Sequence, residues 1–126
     1  MPAINFPEYA QRITDILNKV TTTGEAVLID HQIDQRASSL GFIAGTLQFE
    51  NGNTLHFREF INTGQSEPRM MYAYHYQDMN SNLIFRYDNA AHKPALSQSE
   101  HKHTPAGIEL SSAPTLIEIL DKILKR

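Results

Sequence analysis

The sequence predicts an α+β domain: an antiparallel sheet of about five strands in meander order, with an N-terminal and a C-terminal helix packed on one face. Three observations predict this fold. Apolar residues recur at helical spacing near both ends of the chain, they alternate with a period of two between residues 27 and 87, and the turns in that region are too short for parallel crossovers. The 126 residues and the hydrophobic fraction of 40% are typical of one folded domain.

The N-terminal helix is predicted over residues 7–20. Asn5 is the expected N-cap, and Glu8, three positions later, can complete a capping box. Gly24, which follows a run of three threonines, ends the segment because glycine and β-branched residues are poor helix formers. The apolar face of the helix consists of Tyr9, Ile13, Ile16, Leu17 and Val20.

The sheet and the second helix follow from turn signals and periodicity. Asn51-Gly52 is the strongest hairpin signal, because both residues accept a positive φ. The C-terminal helix is predicted over residues 114–125, with Ser112 as its cap. The predicted strands are residues 27–33, 40–50, 54–61, 69–76 and 83–87.

Residues 88–112 have no clear period and are predicted to be a long functional loop. Long connections inside small domains usually carry function or are mobile. This segment contains His92, His101 and His103, which are three of the six histidines of the chain.

The composition excludes several classes of protein. The net charge of -3 argues against binding nucleic acid by charge alone. The absence of cysteine excludes disulfides, thiolate catalysis and metal sites built on thiolates. The chain begins without a signal-like segment, and no apolar run approaches the roughly 20 residues that span a bilayer, so we expect a cytoplasmic protein with no membrane partner.

The histidines and arginines suggest acid–base chemistry on a phosphodiester. Such chemistry needs a proton acceptor, a proton donor and cations that stabilise the phosphate charge. No phosphate-binding loop, dinucleotide fingerprint or serine nucleophile motif is present, and no cofactor is expected. The residues expected to take part in catalysis are Arg58, Tyr74, His75, Arg86, Asp88 and His92.

A second group of residues is expected to bind the substrate. Tyrosines that alternate along one strand can stack on unpaired bases, which is how single-stranded RNA is usually held. The alternative is that these tyrosines pack under a helix and that Arg86 pairs with Asp88 or Glu59. The expected binding residues are His56, Tyr72, Tyr76, Asn89, His101, Lys102 and His103.

Metal binding is a further alternative. His92, His101 and His103 could supply imidazole ligands, with Asp88 as an oxygen ligand. A loop gives the two histidines of a His-x-His pair no enforced geometry, and Lys102 between them repels a cation. Solvated loop residues explain the same pattern, so no metal is assigned.

The order of motifs resembles the TumE-type toxin family of prokaryotic toxin–antitoxin systems over about residues 38–124. The segments that carry the resemblance are GTLQFENGNTLHFREF, YAYHYQD, LIFRYDNAAHKP and HKH, followed by a C-terminal helix. The most specific string runs from Phe85 to Ala90. The family often has DNAPHHP where this chain has DNAAHKP, so Ala91 and Lys93 replace a usual proline and a usual histidine.

The resemblance implies a toxin with a small antitoxin partner, often of the helix-turn-helix type. Together with the polar residues, it suggests a metal-independent endoribonuclease that acts on RNA or on the ribosome. In this hypothesis Arg58 and Arg86 stabilise phosphate charge, His75 and His92 exchange protons, and Tyr74 orients the substrate or stacks on it. The alternatives are a non-catalytic module that binds a nucleotide or a protein, and a metal-dependent hydrolase that uses the loop histidines; pairing with a second copy of the chain is left open.

Overall fold

The computed structural model describes residues 4–89, 101–110 and 113–126. Within these residues, seven antiparallel strands form one sheet in sequential order, and two helices accompany it. The predicted α+β class and meander order are therefore confirmed. The elements are α1 (Phe6–Thr22), β1 (Ala26–Gln35), β2 (Leu40–Phe49), β3 (Thr54–Asn62), β4 (Arg69–Gln77), β5 (Leu83–Asp88), β6 (His101–Thr104), β7 (Gly107–Leu110) and α2 (Leu116–Leu124).

Both helices begin with a capping box. In α1 the side chain of Asn5 accepts from the backbone N–H of Glu8, as predicted. In α2 the cap is Thr115, which pairs with Glu118 in the same way. The helix predicted from residue 114 therefore begins at Leu116; the predicted cap, Ser112, lies outside the described residues.

The core lies between the two helices and one face of the sheet. Strands β2 and β3 alternate between buried and more exposed positions, so that every second side chain points at the helices. The other face carries no helix among the described residues. The helical residues of the core are Phe6, Ala10, Ile13, Leu17, Val20, Leu116, Ile119 and Leu120.

The prediction of a loop throughout residues 88–112 is wrong for its described part. Residues 101–104 and 107–110 form a hairpin, and β6 extends the sheet by pairing with β5. Gly107, with a φ of 134°, occupies a backbone conformation that favours glycine at the tight turn of this hairpin. Strands of four residues are too short to show a period, which is why the sequence pattern did not reveal them.

Candidate functional site

Five side chains form a row across the face of the sheet that points away from the helices. Residues directly opposite one another on neighbouring strands share a face and lie close together. The register brings these five into line although 57 positions separate the first from the last. This histidine row consists of Thr46 on β2, His56 on β3, His75 on β4, Arg86 on β5 and His103 on β6.

His75 is held in one tautomer by its two neighbours in the structure. Arg86 Nη1 lies 3.4 Å from His75 Nδ1, and an arginine has only donors, so Nδ1 is the acceptor. Nε2 then carries the proton and donates to Gln77 Oε1 at 3.0 Å. Burial is the main cause that lowers the pKa of His75; the hydrogen bond with Gln77 opposes it in part, and the positive charge of Arg86 adds a smaller lowering effect. The surroundings of His75 therefore favour the neutral form of its imidazole.

Asp88 contacts both Arg86 and His103, which are neighbours in the histidine row. Asp88 as a whole residue is 3% exposed, and its carboxylate accepts from Arg86 Nε at 2.8 Å. The same oxygen lies 3.0 Å from His103 Nε2. The alternative partner of Arg86, Glu59, lies on the opposite face of the sheet, so the sequence-based alternative of pairing with Asp88 is the one that the structure adopts.

Arg58 stands beside the row, in an open depression of about 300 Å³. Its neighbours across the strands are Ala44 and Ala73, whose small side chains leave space around the guanidinium. Arg58 is exposed and makes no hydrogen bond or ion pair with any described residue. Among the side chains that line the depression are Gln32, Phe42, His56, Arg58, His75 and Arg86. The arrangement offers an anion two guanidinium groups and several imidazoles on one accessible surface.

Comparison with known protein families identifies the family to which the chain belongs. A family model described as "Toxin TumE" matches residues 19–126, nearly the whole sequence. The chain belongs to the TumE toxin family. Membership indicates the toxin of a toxin–antitoxin system and implies a cognate antitoxin. Neither a curated protein nor a solved structure matches the chain.

The tyrosines of this TumE toxin do not lie in the depression. Tyr72, Tyr74 and Tyr76 are 2%, 0% and 6% exposed, and all three belong to the core. Successive residues of a strand point to opposite faces, so Tyr74 cannot share the face of His75. The predictions that Tyr74 acts beside His75 and that the three tyrosines stack on bases are therefore corrected: the tyrosines pack under the helices.

Two more of the predicted binding residues lie away from the histidine row. Lys102 is on the helix-facing side of β6, where its ammonium group lies 5.5 Å from the ring centroid of Tyr87. The side chain of Asn89 accepts from the backbone N–H of Tyr72 and donates to the carbonyl of Met70, so it holds the end of β5 to the start of β4. Neither residue contributes a group to the depression.

The remaining predicted residues are only partly described. His92 lies outside the described residues. The backbone of His101 pairs with Asp88 in the sheet. Among the residues that the structure describes, no three histidine or acidic side chains are grouped as metal ligands. No described helix of this TumE toxin is long and apolar enough to cross a membrane.

A buried polar cluster on the helix side was not predicted. Glu59, which is 1% exposed, accepts hydrogen bonds from the hydroxyls of Tyr9 on α1 and Tyr74 on β4, the latter at 2.6 Å. Arg69 donates to Tyr74 at 2.9 Å and to the carbonyl of Pro114, just before α2. Burial raises the pKa of both tyrosines, and the Glu59 carboxylate raises it further, so both stay protonated donors.

The sequence did carry one signal for this cluster. Glu59 occupies an inward-facing position of β3, between Phe57 and Ile61, where an apolar residue is expected. A carboxylate at such a position must find buried partners, because burying an unpaired charge is costly. The cluster ties α1, the sheet and the approach to α2 together, and it lies across the sheet from the histidine row.

Proposed function

We propose that this TumE toxin is a small endoribonuclease that cleaves RNA without a metal ion. The observation that supports the proposal is the histidine row beside Arg58, where imidazole and guanidinium groups surround one depression. In RNA the 2′-hydroxyl beside each phosphate is a built-in nucleophile. The enzyme therefore needs only a base, an acid and positive charge around the phosphate.

His75 is the proposed base. A base must be neutral at the working pH, and the lowered pKa of His75 favours that form. Its acceptor atom, Nδ1, contacts Arg86 at 3.4 Å, which is a long hydrogen bond. When a phosphate draws the Arg86 guanidinium toward itself, Nδ1 becomes available to the 2′-hydroxyl.

His103 is the proposed acid, in its protonated form. It stands on the other side of Arg86 from His75, two strands away, which corresponds to about 10 Å across a sheet. A phosphate bound over Arg86 would thus have one histidine on each side. Asp88 orients His103 through the 3.0 Å contact at Nε2. His103 takes the role that the sequence suggested for His92.

The proposed reaction is an internal transesterification. The 2′-oxygen forms a bond to phosphorus while its proton passes to His75, and the bond from phosphorus to the 5′-oxygen breaks as His103 supplies a proton to that oxygen. The products are a 2′,3′-cyclic phosphate and a 5′-hydroxyl end. Arg58 and Arg86 stabilise the extra negative charge on the phosphate oxygens, which is the main catalytic demand.

A second candidate function, a phosphate-binding module without catalysis, has one observation in its favour. Arg86 already contacts both His75 and Asp88, so the row is internally satisfied as a static structure. In such a module the histidines would only position the arginine. Substituting the histidines would then weaken binding in proportion to any loss of toxicity.

The test compares three histidine variants with the wild type. His75→Gln and His103→Gln keep polar side chains of similar size but cannot transfer protons. His31→Gln is the matched control, because His31 lies on β1 at a position that pairs with Gly45, on the helix side of the sheet. Each protein is checked for cooperative unfolding, then for growth arrest on expression and for cleavage of cellular RNA in excess chelator.

The proposal expects growth arrest and cyclic-phosphate ends from the wild type and from His31→Gln, with both lost in the other two variants. Wild-type protein that leaves RNA intact, or His75→Gln and His103→Gln proteins that cleave as well as the wild type, would refute it. Activity that disappears with chelator and returns with a divalent cation would assign the reaction to a metal-dependent enzyme instead.

A further inference from the structure

Two phenylalanines lie on the same face of the sheet as the histidine row. Phe42 on β2 and Phe60 on β3 are direct cross-strand partners. Both are partly exposed, and neither is part of the apolar core or packed against it. Met71 on β4, which is 39% exposed, pairs with Phe60 and extends this apolar strip by one strand. Because these side chains do not contribute to the core, core packing does not explain why apolar residues occupy these positions.

The strip lies next to the cationic part of the site. Phe60 is two residues from Arg58 on the same strand, which places their Cα atoms about 7 Å apart on one face. Phe42 lines the same depression as Arg58 and Arg86. On this face of β2, Ala44 lies between Phe42 and Thr46 of the histidine row. The small methyl group of Ala44 leaves the edge of the Phe42 ring accessible from the depression.

Flat aromatic side chains beside guanidinium groups are the combination that holds unpaired nucleotides. The bases stack on aromatic faces, while the cations contact the phosphates. Phe42 and Phe60 lie on the opposite face of the sheet from Tyr72, Tyr74 and Tyr76, which the helices cover. Phe42 and Phe60 are thus the aromatic residues that the structure leaves on the phosphate-binding side.

We propose that Phe42 and Phe60 form a stacking platform for an unpaired nucleobase of RNA, adjacent to a phosphate held by Arg58. This inference rests on the proposed function and adds the substrate class, which is single-stranded RNA. Gln32, at the rim of the depression, has an amide that can hydrogen-bond to the edge of the stacked base. A duplex would not reach the platform, because its bases are already stacked on one another.

The test measures binding separately from cleavage. A labelled, unstructured 2′-O-methyl oligonucleotide has no free 2′-hydroxyl and cannot be cleaved by the proposed reaction, so its affinity reports binding alone. It is titrated with the wild type, with Phe42→Leu and Phe60→Leu, which keep apolar bulk but lose the ring, and with Phe42→Trp. Ile84→Ala is the matched control, since Ile84 is 36% exposed on β5, which does not pair with β2 or β3, the strands that carry the two phenylalanines.

Each leucine variant is expected to weaken oligonucleotide binding about 5- to 150-fold, as expected for the loss of one base–aromatic stack. Phe42→Trp should retain binding, Ile84→Ala should match the wild type, and a duplex of the same sequence should bind less tightly. If the wild type binds the oligonucleotide in this pattern but cleaves no RNA, the platform stands and the catalytic proposal fails.

Two outcomes would overturn the platform. The wild type could fail to bind the single strand. The two leucine variants could bind it as tightly as the wild type, even if the wild type cleaves RNA. If variants of this second kind also prevent complex formation with the cognate antitoxin, the strip is assigned to a protein partner.

Discussion

Replacing Tyr74 by phenylalanine removes one hydroxyl from the buried cluster and leaves the ring in place. The hydroxyl donates to Glu59 at 2.6 Å and accepts from Arg69 at 2.9 Å, and the residue is 0% exposed. The substitution therefore tests whether Tyr74 stabilises the fold, as the structure indicates, or acts in catalysis, as the sequence suggested.

The expected loss of stability follows from these two contacts. Hydrogen bonds to charged groups contribute about 1.5 to 3 kcal/mol each, and both contacts of Tyr74 are of this kind. They are not additive here, because Glu59 keeps the hydroxyl of Tyr9 and Arg69 keeps the carbonyl of Pro114. We expect the free energy of unfolding to fall by about 2 to 3 kcal/mol, a large part of the 5 to 15 kcal/mol typical of a domain.

Urea denaturation at neutral pH measures this change, with Tyr76→Phe as the matched control. Among the described residues, the hydroxyl of Tyr76 has one hydrogen bond, accepted from the Asn53 amide at 2.9 Å, which is a neutral bond worth about 1 kcal/mol. Tyr74→Phe should therefore lower the midpoint more than Tyr76→Phe, with an unchanged slope. Equal losses in the two variants would refute the reasoning. So would a Tyr74→Phe protein of wild-type stability that no longer arrests growth.

Three further predictions concern single positions. Burial and a neighbouring arginine hold the pKa of His75 below its ordinary value of 6.5. As the pH drops, the unfolded chain therefore binds this proton before the folded protein does. The free energy of unfolding falls between pH 6.5 and that lower pKa. Urea curves at stepped pH should show a smaller fall for His75→Gln, and an identical fall would contradict the assignment. Gly41→Ala should cost about 1 to 3 kcal/mol, because its methyl group would overlap the buried ring of Phe6; Gly64→Ala, where an Asn62 side-chain oxygen is the one near atom, should cost much less in the same assay. Thr115→Ala should cost about 1 kcal/mol by removing the cap of α2, and Thr115→Ser should restore it; equal stabilities of the two variants would count against the capping box.

The period-two pattern correctly predicted the shared face of His56 and Arg58, but it was misapplied to Tyr74 and His75. It put His56 and Arg58 on one face of β3, and the structure confirms that both are exposed there. The same pattern places Tyr74 and His75 on opposite faces, so they could not both contact a substrate. Only the position of the helices, which cover the tyrosine side, shows which of the two faces is accessible.

His103 illustrates what the pattern could not supply. Its strand has four residues, and its position in the row depends on β6 pairing with β5 so that Arg86 lies opposite His103. That pairing joins strands that are twelve residues apart in the sequence, and nothing local in the sequence encodes it. Phe42 and Phe60 were missed for a related reason: apolar residues on a strand suggest a core position until the covered face is known.

The amino-acid sequence by itself determined the two amphipathic helices, the Asn51-Gly52 hairpin, the alternating strands and membership of the TumE family. These features are local, because they depend on propensities, caps and periodicity within a few residues. Only the tertiary structure decided which histidine stands beside which arginine. The register of a sheet is set by hydrogen bonds between distant segments, and a slip of one residue would turn every side chain of a strand to the other face.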